Sequence, residues 1–122
     1  MSRKTILMVE DDAAIRDSVG ELLREHGYSV DTADSGDEGY LALRAQRYDL
    51  MLLDFGMPGL DGRGLLRKLF EEGVPRPTVI IASAYGMHEV VARLDGVRVP
   101  FIGKPFKGEA LLAIVKKYIG AP

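Results

Sequence analysis

Two acidic clusters carry the chemistry of this sequence. Asp54 ends the apolar run Leu50-Met51-Leu52-Leu53 and precedes Phe55-Gly56-Met57-Pro58-Gly59-Leu60-Asp61-Gly62. Glu10-Asp11-Asp12 follows a second apolar run, Ile6-Leu7-Met8-Val9. Runs of this kind read as buried parallel strands, and the Gly/Pro punctuation after Asp54 reads as a loop. Both clusters then sit at the carboxyl ends of strands, where open α/β sheets hold their ligands. Carboxylates gathered in one pocket repel, and the repulsion raises at least one pKa. A divalent cation relieves it. An all-oxygen, exposed site suits Mg²⁺, or Mn²⁺ with similar ligand preferences. Asp11 and Asp54 would supply carboxylate oxygens, with a loop carbonyl as a third ligand.

Two further residues end later apolar runs. Ser83 follows Val79-Ile80-Ile81-Ala82, and Lys104 follows Phe101-Ile102-Gly103. A hydroxyl and an ammonium on the same rim could meet a phosphoryl group carried by Asp54, on the side away from the metal. Each residue also has a plainer reading. Asp54 alone is an ordinary turn residue, and Ser83 a buried hydroxyl bonded to backbone. Lys104 alone is a surface lysine. Asp12 reads chiefly as a helix cap. His26 reads as a favourable charge near a helix end, and His88 as a solvated helix residue. Neither histidine receives a catalytic role.

These side chains need a frame that brings strand ends together. The chain alternates short apolar runs with segments of helical period. Strands are expected over residues 6–9, 28–33, 50–53, 78–82 and 101–103. Ile15, Val19, Leu22 and Leu23 mark a first helix, capped by Asp12 and ended by Gly27. Residues 35–46 form a second helix, weakened by Gly36 and Gly39. Leu65, Leu66, Leu69 and Phe70 mark a third that stops at Gly73. Val90, Val91 and Leu94 mark a short fourth over residues 87–94. Leu111, Leu112, Ile114, Val115, Tyr118 and Ile119 form the core-facing side of the closing helix.

Five βα units without repeats predict a doubly wound α/β fold. Its five parallel strands are expected in the order 2-1-3-4-5, which makes the first and third strands neighbours. The length of 122 residues fits one domain, expected to span the whole chain. A net charge of −2 favours neither nucleic acid nor a membrane surface. The absence of cysteine removes thiolate catalysis and zinc–thiolate sites and is compatible with a cytoplasmic setting.

With these residues in place, the chain resembles the receiver domains of two-component response regulators. The resemblance rests on Val9-Glu10-Asp11-Asp12, Leu53-Asp54 with Met57-Pro58-Gly59 and Asp61-Gly62, Ala82-Ser83-Ala84, and Lys104-Pro105-Phe106. It implies that Asp54 accepts a phosphoryl group from a phosphohistidine of a sensor kinase or phosphotransfer protein. It implies Mg²⁺ held by Asp11, Asp54 and the Gly56 carbonyl, with Glu10 acting through water. Ser83 and Lys104 would contact the phosphoryl oxygens, and the Lys104–Pro105 bond would be cis. Switching would couple Ser83 to Phe101 and reshape the face built from the fourth helix, fifth strand and closing helix. Gly56 and Tyr85 occupy positions that tune the lifetime of the acyl phosphate in such receivers.

The expected role is therefore a phosphorylation-dependent switch that catalyses only its own phosphotransfer and dephosphorylation. It would act alone or as a module of a longer protein, through an unidentified downstream protein or a phosphorylation-dependent dimer. The alternative is a receiver-like scaffold that binds partners without phosphorylation. An aspartyl-phosphate phosphatase is disfavoured because Gly56 stands where such enzymes need a second acid. A flavin carrier of this topology is disfavoured because Glu10-Asp11-Asp12 would repel its phosphate.

Overall fold

The computed structural model describes residues 3–57, 59–84 and 99–122. Its elements are β1 (Thr5–Val9), α1 (Ala13–Glu25), β2 (Ser29–Ala33), α2 (Gly36–Ala45), β3 (Leu50–Asp54), α3 (Gly62–Glu71), β4 (Thr78–Ser83), β5 (Phe101–Gly103) and α4 (Gly108–Ile119). The five strands are parallel, in the order β2-β1-β3-β4-β5. The expected helix over residues 87–94 lies outside the described residues, as do Tyr85 and His88.

The strands are apolar on both faces because both are covered. Leu7, Val9, Met51, Leu53, Val79 and Ile81 pack against Tyr40 and Leu43 of α2 and Leu65 and Leu69 of α3. Ile6, Met8, Leu50, Leu52 and Ile80 pack against Val19 and Leu23 of α1 and Leu111 and Val115 of α4. The helix starts are capped as their residue types dictate. Asp12 Oδ1 accepts from the Ile15 N–H at 3.1 Å, Ser35 Oγ from Glu38 at 3.2 Å and Asp61 Oδ1 from Gly64 at 2.8 Å. Gly27, at φ +98°, ends α1 as expected.

Three expectations change. Gly36 and Gly39 do not mark a failing helix; they permit close packing. A Cβ on Gly36 would fall 2.1 Å from the Leu60 carbonyl oxygen, and one on Gly39 would fall 3.0 Å from Val9 Cγ2. Phe70 is 88 % exposed rather than part of the apolar face of α3. It falls in the last turn of α3, one turn beyond Leu66, which still packs against the core. Tyr118, expected in the core, is 42 % exposed although it shares a helix face with buried Leu111 and Val115, because it lies in the last turn of α4. Among the described residues no helix is long and apolar enough to cross a membrane.

Candidate functional site

Adjacency of β1 and β3 brings the two acidic clusters together. Val9 pairs with Leu53, so Glu10 and Asp54 follow side by side at the carboxyl ends of the two strands. Carboxylate oxygens of Glu10, Asp11 and Asp54 all lie within 4.8 Å of one another. Asp11 is exposed at the mouth, whereas Glu10 is 1 % and Asp54 8 % exposed. The backbone carbonyl of Glu10 accepts from Arg16 Nη1 at 3.0 Å, and its N–H donates to the Ala33 carbonyl at 3.0 Å. Both main-chain groups of Glu10 are therefore fixed.

The cation reaches this site from the carboxyl end of the edge strand β5. Asp54 pairs with Ala82 and Ser83 with Gly103, and the Lys104 N–H donates to the Ser83 carbonyl at 2.8 Å. The peptide bond between Lys104 and Pro105 is cis. Lys104 Nζ lies 2.5 Å from Glu10 Oε1 and 3.4 Å from Asp54 Oδ1. The contact with Glu10 is absent from the sequence expectation, which directed the ammonium at a phosphoryl group alone. No local pattern reports it, because it joins residues that are 94 positions apart. Arg16 was also missed, since a basic residue in the first turns of a helix carries no distinguishing signal.

The ionisation states follow from this crowding. Burial first, then Asp54, pushes the Glu10 carboxyl up to about 8 despite Lys104. Desolvation and then Asp54 raise Asp11 as well. Burial works against ionised Asp54 too, but the neighbouring Glu10 carboxyl, the Gly56 N–H and the Lys104 charge together hold its carboxyl below the ordinary value. Burial opposes the Lys104 ammonium, but Glu10 and Asp54 outweigh it and raise its pKa. Asp54 is thus an anion beside a cation, and the proton in this cluster belongs on Glu10.

Three carboxylates against one ammonium sum to −2 when all are ionised. Glu10 Oε2 is buried without a hydrogen-bond partner among the described residues. An orphaned carboxylate oxygen in an all-oxygen cluster fits a small divalent cation of the Mg²⁺ type.

The remaining expected residues have mixed positions. Gly56 is exposed, and its N–H donates to Asp54 Oδ1 at 3.2 Å. Ser83 is 1 % exposed at the end of β4. Phe101 pairs with Ile81, so Ser83, two residues further along β4, shares its face of the sheet. The Phe101 ring packs against the cluster of Val79 and Ile81. His26 Nδ1 lies 2.9 Å from the Leu22 carbonyl oxygen, far along the chain from the acidic residues.

Comparison with known proteins agrees with this geometry. Residues 6–116 match the family model of the response regulator receiver domain. Response regulator MprA of Mycolicibacterium vanbaalenii is 38% identical over 108 residues, covering 88% of this chain and 47% of that protein. Transcriptional regulatory protein DltR of Streptococcus agalactiae is 34% identical over 111 residues, covering 91% of this chain and 50% of its own length. The chain thus spans about half the length of these curated relatives. The receiver domain of sensor histidine kinase PA1611 from Pseudomonas aeruginosa superposes with a TM-score of 0.85 at 28% identity, covering 98% of this chain and all of that one. In that structure a magnesium ion is coordinated in the active-site cleft. The strand order, the acidic pocket and the match over nearly the whole chain lead to one conclusion: this chain belongs to the receiver domains of response regulators, the signalling modules of two-component systems.

Proposed function

We propose that this receiver is a phosphorylation-dependent switch with Asp54 as its phosphoacceptor. The observation that carries the reading is the anionic Asp54 carboxylate held in one pocket with Glu10, Asp11 and the Lys104 ammonium. An Asp54 oxygen attacks the phosphorus of a phosphohistidine on a sensor kinase or phosphotransfer protein. The P–N bond breaks, its electron pair leaves on the imidazole, and Asp54 becomes an acyl phosphate. Lys104 balances the charge that builds on the phosphoryl oxygens, and Ser83 donates its hydroxyl to them. Glu10, Asp11, Asp54 and the Gly56 carbonyl would hold Mg²⁺. Bound there, the ion neutralises charge between the acceptor and the incoming phosphoryl group. The magnesium in the PA1611 receiver supports that assignment.

The phosphoryl group then biases two arrangements of Ser83 and Phe101, which share a face of the sheet. Output passes through the surface around β5 and α4, to a downstream protein, to a second copy of the receiver, or to a further region of a longer protein. Gly56, which is exposed, and Tyr85, which lies outside the described residues, set how readily water reaches the acyl phosphate. The setting is the cytoplasm.

Incubation with acetyl phosphate and Mg²⁺, read by intact mass, tests the proposal. The wild type is expected to gain one phosphoryl group, and Asp54→Asn with unchanged thermal unfolding is expected to gain none. Equal uptake by the variant would remove Asp54 from the role. No uptake by either protein would favour a phosphorylation-independent scaffold.

A further inference from the structure

The end of the sheet opposite Asp54 gathers charge of the other sign. The chain segments entering β3 and β4, with the last turn of α2, line an open cleft of about 390 Å³. Arg44, Arg47 and Arg76 line it together with Tyr48, Pro75 and Pro77; among the described residues none of its walls is acidic, and the nearby Asp31 carboxylate is engaged by Tyr48 and Gln46. Three guanidinium groups in one cleft stand out on a chain whose net charge is −2.

The walls are held before any ligand arrives. Tyr48 Oη and Gln46 Nε2 both donate to Asp31 Oδ2, at 2.7 and 3.2 Å, which ties the loop before β3 to β2. The Arg44 guanidinium lies 5.8 Å from the centroid of the Tyr40 ring, with Nη1 3.5 Å from its hydroxyl. Pro75 and Pro77 restrict the backbone on the far wall. Arg47 and Arg76 make no hydrogen bond or ion pair with another described residue. Fixed walls lower the ordering cost of binding, and the two unengaged guanidinium groups keep their donors for a ligand.

We propose that this cleft binds a phosphorylated small molecule with a planar ring, of the nucleoside diphosphate or triphosphate kind. Guanidinium forks match phosphate oxygens in pairs, and three of them suit more than one phosphate. The flat apolar surfaces of Tyr48, Pro75 and Pro77 suit a ring. The volume falls among small-ligand pockets, roughly 300–1,000 Å³. Because the cleft lies at the amino ends of β3 and β4, roughly 15 Å along the strands from Asp54, it uses none of the phosphoacceptor residues. The inference therefore stands or falls separately from the phosphorylation proposal.

ADP titrated into isotope-labelled protein in the presence of EDTA tests it, since no divalent cation can then bridge ADP to the acidic pocket. Amide shifts are expected at Arg44, Arg47, Tyr48 and Arg76, saturating below about 1 mM. The double variant Arg47→Ala/Arg76→Ala alters two exposed side chains and is expected to bind ADP at least about tenfold more weakly. Pyrophosphate, which lacks the ring, is expected to bind about fivefold more weakly than ADP. Shifts at the Asp54 end, undiminished binding by the double variant, or no saturation would overturn the proposal. So would pyrophosphate matching ADP, or a hexaglutamate peptide binding more tightly than ADP.

Discussion

Glu10 is the residue on which the electrostatics of the site turn. Its carboxyl is pushed up to about 8 from an ordinary 4.5, so folding favours the protonated form. That contribution to stability is complete below about pH 4.5 and is lost as the pH rises to about 8. Asp54 works in the opposite sense: its lowered pKa favours folding above its ordinary value of 3.8 and loses that effect as the pH falls. In the presence of a chelator, the urea midpoint is therefore expected to drop between pH 4.5 and 8, and Glu10→Gln to flatten the drop. A midpoint that holds steady over that range in the wild type would contradict the buried, crowded Glu10. The residue types at this site were legible because Asp54, Ser83 and Lys104 each end an apolar run and the Glu10-Asp11 pair ends another. The Glu10–Lys104 pair was not, because strand order brings these residues close while side-chain reach decides which partner the ammonium meets.

At the level of elements, periodicity located every described strand and helix to within a few residues, and cap residues marked the helix starts. Glycine was the harder sign to read. Low helix propensity counts against Gly36, yet the packing of α2 on the loop before α3 requires a residue without a Cβ. Sequence alone could not separate that case from Gly20 of α1, where the nearest atom to an added Cβ is the end of the Arg24 side chain at 3.4 Å. The two substitutions are expected to differ in sign. Gly20→Ala should stabilise by about 0.5–1 kcal/mol through helix propensity. Gly36→Ala should destabilise by about 1–3 kcal/mol through overpacking. Chemical denaturation checks both, and stabilisation by Gly36→Ala would refute the close approach to Leu60. The faces of α3 and α4 were misjudged at Phe70 and Tyr118 because an apolar residue near a helix end can fall beyond the edge of the layer it would cover.

Across the whole molecule, one sheet covered on both faces holds acids at one end and arginines at the other. The two-layer core makes the centre of β3 the costliest place to remove volume. Leu53→Ala is expected to lose about 2–5 kcal/mol, whereas exposed Phe70→Ala should stay within about 0.5 kcal/mol of wild type. Comparable losses in urea denaturation would contradict the assigned core. The same frame makes four strand ends converge, and the functional proposal rests on that convergence. Its most direct test is to phosphorylate the protein with acetyl phosphate and Mg²⁺, reduce it with borohydride and map the peptides. Reduction converts an acyl phosphate to the alcohol, so the expected result is homoserine in place of Asp54 and at no other position. Unmodified Asp54, or conversion at Glu10 or Asp11 instead, would contradict the account.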